Sequence, residues 1–265
     1  MRRVRLLIIA IVALSPAVAG ADDHGAASDT AGLAGMDAML TRYGTAHETL
    51  YQFNVKPEAT VYRGPFAASV ILPLTAGYTV HNSCCRFTLG NITLATAYVR
   101  GNRRGKWWIN SSVSFPTSEL TDKSGYVSAV AATAAITSDA GYYLPNTTAV
   151  RVGAGRELAV SRRLAVGAEV GAHYWAHSMG VENQWVIPVT LFGRAQLGKG
   201  FSSRVALRNI ANLNTMQERW LHQMSASVAY EWNTSRVGAT LALPLDESLR
   251  ALGMVSTGVS FARKF

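Results

Sequence analysis

The feature that most constrains this chain is a two-residue alternation of apolar and polar side chains, which begins near Gln52 and continues to Phe265. Short groups of Gly, Asn, Ser, Lys and Arg interrupt it at regular intervals. A period of two is typical of β-strands with one apolar face, whereas an amphipathic helix has a period of 3.6. Eleven segments alternate clearly, at 53–61, 66–74, 92–98, 107–115, 150–158, 164–174, 185–191, 201–207, 220–232, 237–245 and 255–265.

The polar face of these segments combines small residues with nearly all of the strand charges. Its charged and histidine positions are Lys56, Glu58, Arg151, Glu157, Glu169, His173, Arg194, Arg204, Arg208 and Glu231. A barrel in water would turn these residues outward. The richness of the polar face in Gly and Ala favours the inverted arrangement, in which it faces a crowded lumen. Aromatic residues at strand ends are typical of the two interfacial girdles of membrane barrels. They are Trp107, Tyr174, Trp185, Trp220, Tyr230, Trp232 and Phe265.

Composition excludes two other classes of protein. Charged residues make up 15% of the 265 residues and apolar residues 49%, whereas disorder requires low hydrophobicity and high charge. Past residue 14 no apolar run approaches the roughly 20 residues of a membrane-spanning helix. We therefore predict an all-β fold, a transmembrane antiparallel up-and-down barrel whose ten charged and histidine positions line the lumen.

The N-terminus has the three parts of a secretory signal peptide. Three arginines precede the apolar run Leu6–Leu14, and Ala19-Gly20-Ala21 matches a cleavage site of small residues. We assign residues 1–21 to a cleaved signal peptide, 22–50 to a periplasmic linker with a short helix around 35–43, and 51–265 to the barrel. The predicted location is the outer membrane of a Gram-negative bacterium, with membrane lipid as a partner.

The number of strands has two solutions, because bacterial barrels have an even number. A twelfth strand at Tyr126–Ile136 gives twelve in all, with both termini in the periplasm. That segment is rich in alanine and is equally compatible with a helix. Pro116–Pro145 would then be one long external loop, and ten strands would run from Phe66 to Phe265. Twelve strands use more of the alternation and are favoured.

The last strand resembles the C-terminal assembly signal of Gram-negative outer-membrane barrels. That signal ends on an aromatic residue that follows apolar residues at alternate positions, and Val259, Phe261 and Phe265 match it. Arg263 departs from the pattern, but an arginine at the interface can extend its charge into water. The resemblance implies that the barrel-assembly machinery is a partner.

A second resemblance covers about a third of the chain, between residues 88 and 175. The strand Leu89-Gly-Asn-Ile-Thr-Leu-Ala-Thr-Ala-Tyr98 and the later Phe115-Pro-Thr117 are similar to two motifs of the transporter-like barrels associated with meta-pathway phenol degradation. Asn91 stands where that family has Asp, and Ser118 where it has Gly. The resemblance implies an outer-membrane barrel that moves hydrophobic or aromatic solutes, and it supplies no catalytic residue.

We therefore predict a passive channel or transporter for small solutes of hydrophobic, aromatic or anionic character, without a cofactor, metal or nucleic-acid partner. A structural or adhesive barrel is one alternative. An outer-membrane hydrolase is another, because His173, His177 and Ser178 lie close together in sequence, with Glu169 on the same row of the strand. The motifs GxSxG and HExxH are absent from the sequence.

The charges of the polar face also predict a cluster. Arg194 and Arg204 flank the Gly198-Lys199-Gly200 turn at equal distances, so a hairpin places them nearly opposite each other. Because opposed like charges are unfavourable, carboxylates or a passing anion must lie between them. Glu169 and Glu231, on the neighbouring strands, are the nearest candidates. We expect the cluster to narrow the periplasmic half of the lumen and to favour anions.

Overall fold

The computed structural model describes residues 30–44, 49–79, 86–102, 104–117, 140–177, 182–213, 220–251 and 253–265. Fourteen strand segments dominate these residues. They are β1 (Thr30–Gly44), β2 (Thr49–Arg63), β3 (Phe66–Ile71), β4 (Leu74–Thr79), β5 (Arg86–Leu89), β6 (Thr93–Asn102), β7 (Gly105–Ser114), β8 (Thr147–Ala159), β9 (Leu164–His177), β10 (Gln184–Gly198), β11 (Phe201–Asn212), β12 (Trp220–Trp232), β13 (Ser235–Pro244) and β14 (Val255–Lys264). A 3-10 helix at Ala140–Tyr142 and a helix α1 at Glu247–Ala251 complete the described structure.

The segments form one closed antiparallel barrel of twelve strands. β3 and β4 pair in succession with β2, and β5 and β6 pair in succession with β4 and β3, so each couple makes one barrel strand. The barrel closes where β1 pairs with β14 over ten residue pairs from Leu33↔Lys264 to Arg42↔Val255. The backbone of Phe265 adds two hydrogen bonds to Gly32, of 2.9 and 3.0 Å.

Proline accounts for the break between β3 and β4. Pro73 has no N–H to donate to the ladder, and Pro57 stands on the neighbouring strand β2 near the same level. The ladder is bridged there by Leu72 N, which donates to Pro57 O at 3.0 Å, and by Gly90 N, which donates to Pro73 O at 2.7 Å. Asn91, in the matching break between β5 and β6, is completely buried.

The outer face of the barrel is apolar and ends in aromatic girdles. Val61, Ile109, Leu191 and Val205 are each more than half exposed, as side chains that face lipid would be. At one end Tyr174 contacts Trp185, with ring centroids 4.8 Å apart. At the other end the girdle contains Phe66, Tyr98, Trp107, Phe201, Tyr230 and Trp232, which contact one another in two groups.

The two ends of the barrel differ in their connections. Very short turns join strands at one end, called here the tight-turn end. In the turn Lys199-Gly200 both residues have positive φ, 51° and 82°, which suits the right-handed twist of a hairpin. The connections at the opposite end are longer, and the first residue of β1 and Phe265 lie at the tight-turn end. In outer-membrane barrels the short turns are periplasmic.

The prediction of a twelve-strand barrel is confirmed, and the ten-strand alternative is wrong. The identity of the twelfth strand was also wrong, because β1 occupies residues 30–44, where we expected a linker with a helix around 35–43. The predicted strand at 126–136 and the signal peptide at 1–21 lie outside the described residues. None of the helices in the described part of the chain is long and apolar enough to cross a membrane.

Candidate functional site in the barrel lumen

A cavity of about 240 Å³ lies inside the barrel and is the candidate functional site. Six basic side chains line it, against three carboxylates. The basic residues are Lys106, Arg151, Arg194, Arg204, Arg208 and Arg236, and the acidic residues are Glu58, Glu157 and Glu169. The cavity therefore has a positive balance, which attracts anions.

The ten positions predicted to line the lumen all lie on the inward rows of their strands, and eight of them line the cavity. These are Glu58, Arg151, Glu157, Glu169, His173, Arg194, Arg204 and Arg208. Lys56 lies beside the cavity, with its Nζ 5.3 Å from the centre of the Tyr142 ring. Glu231 lies at the tight-turn end, where its side chain is 56% exposed and forms an ion pair of 3.4 Å with Arg236.

Three charged side chains meet in the half of the lumen nearer the tight-turn end. Glu157 Oε1 accepts a hydrogen bond of 2.8 Å from Arg194 Nη2 and lies 3.9 Å from Lys106 Nζ. Glu157 is on β8 and Arg194 on β10, so the pair reaches across β9. The register places Ala165 and Gly167 at this level of β9, and their small side chains leave room for the contact. The carboxylate is buried, with 8% of its side chain exposed.

The structure brings Arg194 and Arg204 directly opposite each other in the hairpin of β10 and β11. The expected partners were wrong for Arg194, whose carboxylate is Glu157 of β8 rather than Glu169 or Glu231, whereas Glu169 is the carboxylate that attracts the Arg204 charge most strongly. Glu169 accepts a hydrogen bond of 3.3 Å from Asn110, and Glu231 pairs with Arg236. The reason is side-chain reach, since an arginine extends over a neighbouring strand of small residues.

The Arg204 guanidinium packs on an aromatic ring. Its guanidinium carbon lies 4.3 Å from the centre of the Phe192 ring, within the range of a cation–π interaction. Its buried Nε has no hydrogen-bond partner among the described residues. The Arg204 side chain also lines the cavity, where an anion can reach it.

Large side chains on one side of the lumen lie flat over glycines of the neighbouring strands. A Cβ at Gly155 would overlap the Trp108 indole, and a Cβ at Gly167 would overlap the Phe192 ring. Asn110 lies against Gly153 and Pro188 against Gly171 in the same way. The inward rows of β7 to β10 are called here the packed wall. Trp108 and Phe192, with centroids 6.2 Å apart, pack with Val99 and Ala206 at its centre.

The opposite side of the lumen has small side chains. The inward rows of β12 to β14, called here the small-residue wall, carry Ser225, Ser227, Ala229, Gly238, Thr240, Ala242, Ser256, Gly258, Ser260 and Ala262 between their charged or amide ends. Ser256 shares a buried hydroxyl hydrogen bond of 2.9 Å with Thr41 of β1. Ser227 and Ala229 line the cavity. The two walls therefore differ in the size of their inward side chains.

The 3-10 helix places an aromatic ring in the lumen at the end opposite the tight turns. Tyr142 is 5% exposed, lines the cavity and lies 3.9 Å from the guanidinium carbon of Arg151. The Asn91 side chain anchors this segment, because its Nδ2 lies within hydrogen-bond distance of the carbonyl oxygens of Gly141, Leu144 and Thr147. The cavity thus lies between two aromatic rings. Tyr142 is nearer the end opposite the tight turns, and Phe192 is nearer the tight-turn end.

Among the described residues, those proposed for the hydrolase alternative do not come together as a catalytic group. His173 lines the cavity, whereas His177 Nδ1 lies 2.8 Å from Thr147 Oγ1. Both point inward from β9, and Ser178 lies outside the described residues. Glu169 is bonded to Asn110. No cluster of three or more His, Cys, Asp or Glu that could hold a metal occurs among the residues that the structure describes.

Sequence reasoning missed the aromatic residues of the lumen. Trp108 and Phe192 stand on inward rows, but each is adjacent in sequence to an outward apolar residue, which hides its direction. The signal was the pairing of large inward residues with Gly155 and Gly167 on the next strands, which can be read only when the register is known. Lys106 and Arg236 were also missed as lumen residues. Both lie near the start of a strand, where the direction of the side chain depends on the register.

Comparisons with known proteins support the fold. No family model matches the chain, and no curated protein matches it. Solved structures do: the COG4313 outer membrane channel from Pseudomonas putida F1 has 13% identity and a TM-score of 0.65, over 93% of this chain and 98% of that one. The NanC porin has 8% identity and a TM-score of 0.52, over 87% and 98%. The translocator domain of the autotransporter NalP from Neisseria meningitidis has 11% identity and a TM-score of 0.50, over 92% and 90%. At these identities the likeness concerns the fold alone, and this chain has the fold of an outer-membrane β-barrel.

Proposed function

We propose that the protein is a passive channel of the Gram-negative outer membrane that takes up small organic anions. The observation that carries the proposal is the cavity inside the barrel, lined by six basic and three acidic side chains. Solutes that cross a closed outer-membrane barrel pass through its lumen, and basic residues at a constriction there favour anions.

The aromatic rings at the cavity favour solutes that also have an apolar part. Phe192 and Tyr142 each lie under a guanidinium, so an anion drawn to the arginines meets an aromatic surface beside them. Aromatic and aliphatic groups pack well on such rings. Small carboxylates with an aromatic or aliphatic body are therefore the preferred solute class.

Planar-bilayer recording with the refolded protein tests this proposal. We expect discrete conductance steps and, in a KCl gradient, a reversal potential of the sign given by chloride preference. Benzoate should permeate or block at lower concentration than acetate, because only benzoate carries an aromatic body. A reversal potential of the opposite sign, or the absence of any conductance from correctly folded protein, would contradict the proposal.

The variants Arg204→Gln and Arg63→Gln provide the matched pair. Arg204 faces the cavity, whereas Arg63 is exposed on the outer face of β2. Arg204→Gln should reduce the chloride preference, and Arg63→Gln should leave it unchanged although it removes the same charge. Equal effects would show that the net charge of the protein, rather than the cavity, sets selectivity.

A further inference from the structure

The charges on the outer face of the barrel are unevenly distributed. All five carboxylates of the described strands stand on inward rows: Asp37, Glu58, Glu157, Glu169 and Glu231. Four arginines stand on outward rows at the tight-turn end, within three residues of their strand ends: Arg63, Arg100, Arg156 and Arg263. Each is exposed, and Arg42 is their counterpart near the other end. The described outer face at the tight-turn end is therefore purely basic.

A groove lies on the outer face directly above two of these arginines. It has a volume of about 430 Å³, and its floor is a row of small side chains in register, Ala68, Thr96 and Ser111. Phe66, Tyr98 and Ile109 form the next row toward the tight-turn end and stand higher than the floor. This surface is here called the outer groove.

The floor of the outer groove is compatible with an apolar occupant. Thr96 and Ser111 share a hydroxyl hydrogen bond of 2.9 Å, so one of the two hydroxyl groups already donates its proton to the other. Apart from Arg63 at its foot and Asn110, whose side chain turns inward to Glu169, the other lining residues are aliphatic or aromatic. A hydrocarbon chain can therefore lie in the groove without leaving both hydroxyls unpaired.

The arginines below the groove suit a phosphate. Arg63 is in register with Phe66, which is in register with Tyr98, and Arg100 lies two residues beyond Tyr98. Strand spacing and rise put the Cα atoms of Arg63 and Arg100 about 12 Å apart, a gap that two arginine side chains can close around one phosphate. Arg63 and Arg100 lie at the membrane interface, and the outer groove extends from them toward the membrane centre. This arrangement matches a lipid, whose charged headgroup lies at the interface and whose hydrocarbon chains lie toward the centre.

We propose that the outer groove and the two arginines at its foot bind one anionic glycerophospholipid of the periplasmic leaflet. Its phosphate lies between Arg63 and Arg100, and one acyl chain fills the outer groove above Phe66 and Tyr98. The proposed site lies on the outward rows of β2, β3, β6 and β7.

Native mass spectrometry of the refolded protein in detergent tests the proposal, with phosphatidylglycerol and phosphatidylcholine of identical chains as probes. We expect tighter binding of phosphatidylglycerol. An arginine near a membrane surface contributes about fivefold in affinity, so Arg63→Gln with Arg100→Gln should weaken phosphatidylglycerol binding roughly 25-fold. Arg42→Gln, the matched control at the opposite end, should not change it.

The acyl-chain half of the proposal has its own variant. Ala68→Leu fills the floor of the outer groove and should weaken binding of both lipids. Ala239→Leu adds the same group to an exposed outward position of β13 and should weaken neither. Equal affinities for the two lipids in the parent protein would overturn the proposal. So would a dimer peak that Ala68→Leu removes while lipid binding stays constant, because a second copy would then occupy the groove. Heat-dependent gel migration verifies that each variant is folded.

Discussion

The packed wall and the small-residue wall of the lumen differ in the size of their inward side chains. Both must cover the inside of a twelve-strand barrel with side chains. The packed wall does so with large residues that lie over glycines, and the side chains of Trp108 and Phe192 fill its part of the lumen. The small-residue wall has almost no side chain longer than threonine, apart from its ends. The difference concentrates the large inward side chains, and most of the charges that line the cavity, on β7 to β11.

The packed wall also contains buried charges, and each of them has a partner. A buried charge is costly unless it is paired and hydrogen-bonded. On the packed wall Glu157 pairs with Arg194 and lies near Lys106, and Arg151 donates a hydrogen bond to Ser114 and faces the Tyr142 ring. Glu157, Arg194 and Lys106 therefore form a connected electrostatic unit, whereas the small-residue wall contributes mainly hydroxyl groups.

Removal of the central carboxylate should have the largest effect on this unit. Glu157→Gln removes the carboxylate charge that pairs with Arg194 and lies 3.9 Å from Lys106. Loss of one partner of a fully buried pair costs about 3 to 5 kcal/mol, and we expect about 2 to 3 kcal/mol here because 33% of the Arg194 side chain is exposed. Urea unfolding of the protein in lipid vesicles measures the change. The same variant should raise chloride preference, and a loss below 0.5 kcal/mol, on the order of an exposed pair, would contradict the buried pairing.

Alanine at matched glycines tests the packing difference between the walls. Gly155→Ala forces a methyl group into the Trp108 indole, and overpacking of this kind costs about 1 to 3 kcal/mol. Gly238→Ala on the small-residue wall meets the Ser260 hydroxyl at 2.8 Å, and that side chain can rotate away. We expect a cost below about 1 kcal/mol there. Gly193→Ala meets no atom within 4 Å and should be neutral or slightly stabilising. Equal losses at Gly155 and Gly238 would remove the distinction between the walls.

Exchange of a charge between the walls should have the smallest effect on stability. Arg204 and Ser227 are register partners on β11 and β12, so the double variant Arg204→Ser with Ser227→Arg moves the guanidinium one strand toward the small-residue wall. The contact with Phe192 is lost, at a cost of about 0.5 to 1 kcal/mol in unfolding free energy. Chloride preference should remain close to that of the parent, because the charge still faces the cavity. If it falls to the level of Arg204→Gln, the ring and not only the charge determines selectivity.

Much of the barrel could be predicted because alternation reports which side of a strand a residue faces. The outward positions of Val205 and Leu191 and the inward positions of Arg194 and Arg204 follow from that rule alone. The strand β1 was not predicted, because its two faces carry similar residue types. Met36 and Met39 lie on opposite faces, and Gly and Ala occupy both rows over residues 31–35, so the segment lacks a polar and an apolar stripe.

The contacts across strands could not be predicted in the same way. That Glu157 pairs with Arg194 depends on a register two strands away and on the small residues of β9 between them. The position of Tyr142 depends on Asn91, more than fifty residues earlier, which binds the carbonyl groups around it. Neither relation has a local pattern, because both arise from how distant segments meet in the closed barrel.

The seam between β1 and β14 joins residues that are far apart in the chain. Thr41 and Ser256, which share a hydroxyl hydrogen bond, are separated by 215 positions. Closing a flexible loop of that length costs about 5 kcal/mol of chain entropy, so the seam is favourable only when the intervening hairpins have already shortened the effective loop. Until Phe265 reaches Gly32, the nascent sheet has two open edges, each able to pair with another chain. Pairing of β1 with β14 therefore ends the period in which the unfinished barrel is exposed to aggregation.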